Sequence, residues 1–341
     1  AACCTLSMAR SITCFLLLAL PIAAMAFAPS ALTPMRNMFG APALALKSDR
    51  STAPLSLTMR QPFIAGNWKM NPTSVDEAIA LAKAIGAGKG SSKAQVAIFV
   101  PHPFLDACRD DLQAGGVEMG AQSNFYEKKG AYTGATSVSM VKSVGAKHCL
   151  VGHSERRTIF NNDDSMINDL MKSVLDEGLY PCLCIGETKE EYEAGLNKQI
   201  CAIQLAKGLK DISAEQMKTI TIAYEPVWAI GTGLVCDAKS AQDVHAFVRG
   251  WLKDTYGDAV ADAVRIQYGG SVTPESVDEL MAQPDIDGCL VGGASLDAEK
   301  FARIMNFKAE TTPGGPEAGS GSGSGSRLGR VWRKIKGLFV A

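Results

Sequence analysis

The 341-residue chain is 47% hydrophobic and carries a formal net charge of -1 at pH 7. This composition is typical of a globular protein with a substantial core, and the near-neutral charge excludes a general electrostatic attraction to nucleic acid. The length would allow two average domains, although an α/β barrel uses about 250 residues for a single domain. Residues 61–310 are long enough for one such barrel.

The first 60 residues have the composition of a targeting presequence, with one acidic residue against five basic ones. Arg10 precedes an apolar stretch at residues 14–24, and the small residues of 24–26 follow, which is the order of a cleavable secretory signal. Residues 26–29, Ala-Phe-Ala-Pro, open a basic stretch that resembles the plastid-directing part of presequences from algae with complex plastids. We therefore predict import into the plastid stroma, with the secretory pathway as the alternative.

Between residues 61 and 310, short apolar segments alternate with longer segments of helical pattern. The eight candidate strands are residues 63–65, 96–100, 117–120, 149–151, 181–185, 219–224, 264–268 and 288–291. Ser74-x-x-Glu77 and Thr188-x-x-Glu191 are capping-box signals for helix starts. Eight strand-helix repeats predict a single closed (β/α)8 barrel. An open doubly wound sheet is the structural alternative, but no Gly-x-Gly-x-x-Gly follows the first strand, as dinucleotide binding in that fold would require.

Polar side chains follow several of these strands at the point where each strand ends. Asn67 and Lys69 follow the first strand, His153 follows the fourth, and Glu225 follows the sixth. The carboxyl ends of the strands of a barrel meet at one mouth, where the catalytic groups of barrel enzymes lie. The sequence therefore predicts a cation, an imidazole and a carboxylate in a common site.

Glycine-rich turns follow the seventh and eighth strands, at residues 269–271 and 292–294. Barrels commonly bind phosphate between these two loops, because backbone N–H groups there can approach an anion closely. Tight turns also use glycine for conformational reasons alone. The position of both turns on the two expected strands favours a phosphate site.

Seven cysteines lie between residues 61 and 310, several of them within apolar strand-like segments, which is typical of free buried thiols. Cys182 and Cys184 share one face of a strand, so a metal-binding pair is conceivable. No second Cys or His cluster at ligand spacing accompanies them. Core packing is the preferred interpretation, and we predict neither a disulfide framework nor a metal site.

The C-terminal part of the chain has a different composition. Residues 311–326 end in a Gly-Ser repeat and predict a flexible linker. Residues 327–341 place apolar side chains at helical spacing opposite Arg and Lys, without any acidic residue, which predicts a basic amphipathic helix. This helix could contact an anionic membrane surface or a partner protein, or it could be an artefact of the gene model.

The motifs of residues 61–310 together resemble those of the triosephosphate isomerase family. The matching segments are residues 67–71, 151–157, 184–187, 223–233, 268–272 and 290–294, and the resemblance extends over about residues 62–307. It implies a TIM barrel without a cofactor. It also implies interconversion of dihydroxyacetone phosphate and glyceraldehyde 3-phosphate through an enediolate, a reaction of glycolysis, gluconeogenesis and, in a plastid, the Calvin cycle.

The resemblance also implies roles for individual side chains. Glu225 matches the family's base, His153 its neutral imidazole electrophile, and Lys69 its cation beside the developing negative charge. Asn67 matches the amide that orients the substrate. Residues 226–236 match a loop that closes over the site.

Other positions of the family's site match residues that bind or support. The phosphate is expected against the backbone N–H groups of Gly231, Ser271, Gly292 and Gly293. Ser154 and Glu155 are expected to support the catalytic groups.

The resemblance further implies a homodimer, because in the family the loop matching residues 122–135 inserts into a partner subunit. Thr133 fits that pattern. Ala135 departs from it, since the family usually has a glutamate there that pairs with the arginine matching Arg156. Residues 234–236, Leu-Val-Cys, also differ from the family's usual hinge, and Cys236 could be either a small hinge residue or a redox-sensitive thiol.

Two other functions remain open at this stage. The chain could be a different phosphate-binding barrel enzyme, which we would not expect to combine Lys69, His153 and Glu225. It could also be a non-catalytic binding module whose active part is the basic C-terminal segment.

Overall fold

The computed structural model describes residues 60–232 and 236–308. In this part of the chain eight parallel strands close into a barrel in sequence order. The strands are β1 (Phe63–Asn67), β2 (Gln95–Val100), β3 (Glu118–Ala121), β4 (His148–Val151), β5 (Tyr180–Ile185), β6 (Thr221–Tyr224), β7 (Arg265–Tyr268) and β8 (Gly288–Val291). The closed barrel is confirmed and the open-sheet alternative is excluded, because β1 pairs with both β2 and β8.

Helices follow the strands around the outside of the barrel. They are α1 (Val75–Gly88), α2 (Leu105–Ala114), α3 (Val138–Ser143), α4 (Ser154–Thr158), α5 (Asp164–Asp176), α6 (Lys189–Glu193), α7 (Asn197–Gly208), α8 (Ala214–Met217), α9 (Ala238–Tyr256), α10 (Asp258–Ala263), α11 (Val277–Met281) and α12 (Ala298–Met305). Among the helices of the described residues, none has the length and apolar character needed to cross a membrane.

The predicted helix starts are correct, but only one of the two capping boxes is complete. At α6 the Thr188 hydroxyl accepts from the Glu191 N–H, and the Glu191 carboxylate accepts from the Thr188 N–H. At α1 the Ser74 hydroxyl accepts from the Glu77 N–H, but the Glu77 carboxylate turns to the N–H of Thr73 instead. Both arrangements satisfy backbone donors that have no partner within the helix.

The core has two layers, inside the barrel and between the strands and the helices. The interior layer contains Phe63, Ala65, Ala97, Phe99, Leu150, Cys182, Cys184, Ala223 and Leu290. Because side chains alternate along a strand, Cys182 and Cys184 point inward while Leu183 packs against the outer helices. All seven cysteines of the described residues are buried and free, as predicted. Burial raises the pKa of Cys149 and of Cys289 to about 12, so these thiols stay protonated.

A polar cluster lies at the opposite end of the barrel from the carboxyl ends of the strands. Its centre is Glu118, the first residue of β3, whose carboxylate accepts from Gln95, Lys147 and the buried imidazole of His148 at 2.8 Å. The hydrogen bond from His148 is the largest cause that holds the pKa of Glu118 well below its usual value. Burial lowers the pKa of His148, so a neutral ring donates to this carboxylate.

The predicted presequence, the linker and the basic C-terminal segment lie outside the described residues, apart from Arg60. The same holds for residues 233–235 of the predicted closing loop.

We expect Glu118→Gln to lower the free energy of unfolding at pH 7 by about 1–3 kcal/mol, because the new amide places a donor against the existing donors. The folded-state pKa of Glu118 is depressed, so its contribution is present above the unfolded-state value of about 4.3 and is lost as the pH falls below it. Urea denaturation should therefore show a difference between variant and wild type that shrinks from pH 7 to pH 3.

The matched control is Glu215→Gln, since the Glu215 side chain is 81% exposed and also pairs with a lysine. This control should change stability by less than about 0.5 kcal/mol. An equal loss for Glu118→Gln at both pH values would show that the charge of Glu118 contributes nothing.

Candidate active site

A cavity of about 540 Å³ opens at the carboxyl ends of the strands. All the predicted catalytic and substrate-binding residues line it, namely Asn67, Lys69, His153, Glu225, Gly231, Ser271, Gly292 and Gly293. The two predicted supporting residues, Ser154 and Glu155, lie directly behind this lining and contact it. The structure thus brings together groups that come from five strand ends.

Glu225 is the first residue after β6, and its side chain is 3% exposed. One carboxylate oxygen accepts from the backbone N–H of Ser154 at 2.9 Å, and the other lies 3.2 Å from Nε2 of His153. A buried carboxylate is costly unless it is hydrogen-bonded. Its position is therefore defined by the start of α4, 71 residues earlier in the chain.

Two glycines leave the space that Glu225 occupies. A Cβ atom at Gly186 would lie 1.7 Å from the Glu225 carbonyl oxygen, and one at Gly269 would lie 2.9 Å from Glu225 Cγ. Any other residue at these positions would displace the carboxylate or the strand that carries it. Gly186 and Gly269 thus hold Glu225 in place from the neighbouring β5 and β7 strand ends.

His153 caps the N-terminus of α4, and this contact fixes its tautomer. Nδ1 accepts a hydrogen bond from the backbone N–H of Glu155 at 3.2 Å. A backbone N–H can only donate, so Nδ1 carries no proton and the ring is neutral with its hydrogen on Nε2. The Nε2–H group faces the cavity beside Glu225.

Lys69 adopts a backbone conformation that is uncommon for residues other than glycine, with φ of 53°. Its N–H donates to the Asn67 side chain at 3.0 Å, and its carbonyl accepts from the Gln122 amide at 2.8 Å. The Lys69 ammonium lies 2.6 Å from a carboxylate oxygen of Glu155. The turn after β1 is thus fixed at both ends, with the ammonium at the cavity wall.

Gln122 is a supporting residue that sequence analysis missed. Its amide also donates to the Phe99 carbonyl at 2.9 Å, so it joins the turn after β1 to β2. Its only signal in the sequence is an amide side chain two residues after the end of a predicted strand.

The glycine-rich turns form the other side of the cavity, as predicted. Gly231, Ser271 and Gly293 are exposed, and a Cβ atom at Gly231 or Gly293 would meet nothing within 4 Å. A Cβ atom at Gly292 would lie 3.7 Å from Lys69 Cε, so the lysine stem runs beside this turn. Open backbone next to an ammonium is the arrangement expected for an anion site.

The loop after Glu225 is attached to a buried acid. Glu187, which is fully buried, accepts from the Tyr224 hydroxyl at 3.0 Å and from the Trp228 indole at 2.8 Å. Burial raises the pKa of Glu187. Tyr192 stacks on Trp228 with ring centroids 4.2 Å apart. These contacts fix Trp228 and therefore stiffen the start of the loop.

Cys236 lies where this loop returns to the barrel, and it is 5% exposed. Burial raises the pKa of its thiol to about 12. The thiolate is the oxidisable form, so this environment favours the small hinge residue over the redox-sensitive thiol.

Arg156, in α4, has no carboxylate partner among the described residues. Its guanidinium lies 4.1 Å from the centre of the Phe160 ring, and its Nε atom is buried without a hydrogen bond. Burial lowers its pKa. Ala135, where the family usually has a glutamate, is exposed. Arg156 is therefore partly buried and unpaired within the described chain, and Ala135 offers no carboxylate to such an arginine.

Comparison with known proteins identifies relatives of the barrel. A sequence model of the family Triosephosphate isomerase matches residues 62–308. A triosephosphate isomerase of Carboxydothermus hydrogenoformans is 48% identical over 247 residues, which covers 72% of this chain and 98% of the relative. Those of Moorella thermoacetica and Herpetosiphon aurantiacus are 45% identical over 249 residues and 47% over 251, each over 73% of this chain and over 99% and 100% of the relative.

Proposed function

The chain belongs to the triosephosphate isomerase family, and we propose that its barrel interconverts dihydroxyacetone phosphate and glyceraldehyde 3-phosphate. The observation that carries this proposal is the meeting of Glu225, His153 and Lys69 in one cavity. A carboxylate, a neutral imidazole and an ammonium are the groups that proton transfer beside a carbonyl requires.

Glu225 is proposed as the base that moves the proton. It takes a proton from the carbon beside the substrate carbonyl and returns it to the neighbouring carbon, which a single carboxylate can reach from one position. In the free protein the Ser154 N–H holds one oxygen of this carboxylate. The substrate must displace that bond or use the second oxygen, which faces His153 at 3.2 Å.

His153 is proposed to donate from Nε2 to the substrate oxygens. Its neutral state matters because the N–H bond can strengthen as negative charge develops on the enediolate. Lys69 stabilises the same charge, and Asn67 orients the oxygens. The Glu155 carboxylate restrains the Lys69 ammonium at 2.6 Å until the anionic substrate arrives.

The substrate phosphate is proposed to lie against the glycine-rich turns. Gly231, Ser271, Gly292 and Gly293 offer backbone N–H groups around open space at one side of the cavity. Contacts with a group remote from the reacting carbons can supply binding energy that holds the carbonyl at Glu225 and His153.

Glu225→Asp should slow the isomerisation by about 10²-fold or more, because shortening the side chain by one methylene group withdraws the base from the reacting carbons. The measurement is cofactor-free exchange of solvent hydrogen into dihydroxyacetone phosphate by the full chain. Glu215→Asp, at an exposed acid outside the cavity, is the matched control and should retain the wild-type rate.

An unchanged rate in Glu225→Asp would remove this residue from the role of base. A wild-type protein that exchanges nothing would support the non-catalytic binding module instead.

A homodimer is the second part of the proposal. Large apolar side chains are exposed after three strands in one half of the barrel: Met70 is 92% exposed after β1, Tyr132 is 45% exposed after β3, and Ile159 and Phe160 are 66% and 58% exposed after β4. Exposed apolar patches at neighbouring positions are typical of protein interfaces. The loop around Thr133 would contact the second copy.

Ala135→Glu should strengthen this dimer by about tenfold, since it offers a carboxylate to the unpaired guanidinium of Arg156 in the second copy. Sedimentation of the full chain over a concentration series measures the change. Ala135→Gln, of similar size but uncharged, is the control and should not reproduce it. A gain that persists when Arg156→Met is combined with Ala135→Glu would disprove the pairing, as would a chain that stays monomeric throughout.

The two ends of the chain are proposed to serve targeting and binding and to take no part in the reaction of the barrel. The presequence would direct the protein to the plastid stroma, where the reaction serves the Calvin cycle, and residues 327–341 would contact an anionic membrane or a partner protein. Fluorescent fusions of residues 8–60 and 319–341 in an alga with a complex plastid test both ideas. Secretion of the first fusion would contradict plastid import, and diffuse fluorescence of the second would contradict membrane contact.

A further inference from the structure

Charged side chains of both signs line the cavity in two separate places. Within the described residues that line it, Lys69 and Glu225 belong to the groups proposed for proton transfer, and Glu275 and Lys300 follow the two glycine-rich turns in the chain. Asp297 adds a further carboxylate near Lys300. Without Lys300, Lys69 would be the one ammonium in this described lining to balance Glu275 and Asp297 near the turns where a dianionic phosphate is proposed to bind.

Lys300 occupies a defined place in the fold. It is the third residue of α12, directly after the turn that follows β8, and its N–H donates to the capping carboxylate of Asp297 at 3.1 Å. Phe301 and Ile304 are fully buried and anchor the helix. The backbone of Lys300 is therefore fixed at the rim of the cavity, while its side chain is 59% exposed and can reorient.

The location of this lysine is electrostatically unfavourable for the helix itself. A cation in the first helical turn lies at the positive end of the helix dipole, where acidic residues are preferred. The Lys300 ammonium lies 3.1 Å from Asp297, but an exposed ion pair of this kind contributes little to stability. The protein therefore gains little stability from Lys300, and its replacement should not prevent folding.

The electrostatic influence of Lys300 extends to the turn after β7. The pKa of Glu275 is lowered, first by a hydrogen bond with Thr273 and also by the charges of Lys300 and Arg303. Glu275 is thus ionised at neutral pH and would repel a phosphate dianion. The positive charge of Lys300 acts on Glu275 and offsets part of this repulsion.

We propose that Lys300 is a second positioning cation for the phosphate group of the substrate, offsetting Glu275 and Asp297 and drawing the dianion to the glycine-rich turns. The inference rests on the proposed function and identifies how this chain controls the charge at one end of that site. Lys69 serves the reacting end of the substrate and its stem also runs beside the turn at Gly292, whereas Lys300 acts at the phosphate alone.

The first test compares full-length wild type with Lys300→Gln. At an ionic strength of about 0.02 M, kcat/KM for glyceraldehyde 3-phosphate and the affinity for inorganic phosphate should both fall by about three- to tenfold. The loss should appear mainly in KM, and it should shrink toward unity at about 0.5 M salt. Lys300→Arg should retain most of the wild-type affinity.

Two comparisons separate this role from a structural one. Proton exchange into glyceraldehyde, which lacks the phosphate, should be unchanged in Lys300→Gln. Lys218→Gln is the matched control, because Lys218 also forms an exposed pair with an acid three residues away but lies outside the cavity lining. It should leave every measured quantity unchanged.

Glu275→Gln should change phosphate affinity in the direction opposite to Lys300→Gln. Removal of this acid should tighten inorganic phosphate binding by about two- to fourfold at low salt, and combining it with Lys300→Gln should restore affinity toward the wild-type value.

Three results would overturn the inference: equal phosphate affinity in Lys300→Gln and wild type, an equal loss with glyceraldehyde, or a salt-independent loss. A wild-type chain that does not isomerise its substrate would contradict the proposed function instead. The phosphate titrations would then still decide the role of Lys300.

Discussion

The site depends on one contact, between the buried carboxylate of Glu225 and the first turn of α4. Ser154 donates its backbone N–H to this carboxylate, and His153 presents Nε2 to it, so the carboxylate and the imidazole position each other. The same turn directs the Glu155 N–H to Nδ1 of His153 and the Glu155 carboxylate to Lys69. Three consecutive residues therefore connect the acid after β6 with the ammonium after β1.

Barrel closure brings the first turn of α4 close to both Glu225 and Lys69. Parallel strands in sequential order place the ends of β1, β4 and β6 around one mouth, although they are distant in the chain. At the other end of the barrel, the cluster centred on Glu118 joins the starts of β2, β3 and β4. The polar cluster at the strand starts thus joins three strands, while the carboxyl ends of the strands hold the charged and neutral groups of the cavity.

Much of the fold was predictable because it depends on local patterns. Eight apolar segments, their helical neighbours and the polar residues directly after each strand follow from periodicity and chain order. The contacts between side chains from distant parts of the chain could not be predicted from these local patterns. The Glu225–Ser154 bond, the tautomer of His153 and the role of Gln122 depend on how distant strand ends meet, and Lys300 gave no signal because its importance comes from the turns beside it. The loss of a partner for Arg156 was predictable only through the family resemblance.

One small phosphate-bearing acid should contact every part of the site at once. A crystal structure with 2-phosphoglycolate, whose carboxylate resembles the enediolate, tests this most directly. The ligand carboxylate should lie within hydrogen-bond distance of His153 Nε2 and beside Glu225 and Lys69, with its phosphate on the N–H groups of the glycine-rich turns. A ligand bound elsewhere, or one whose carboxylate contacts neither His153 nor Glu225, would contradict the proposed site.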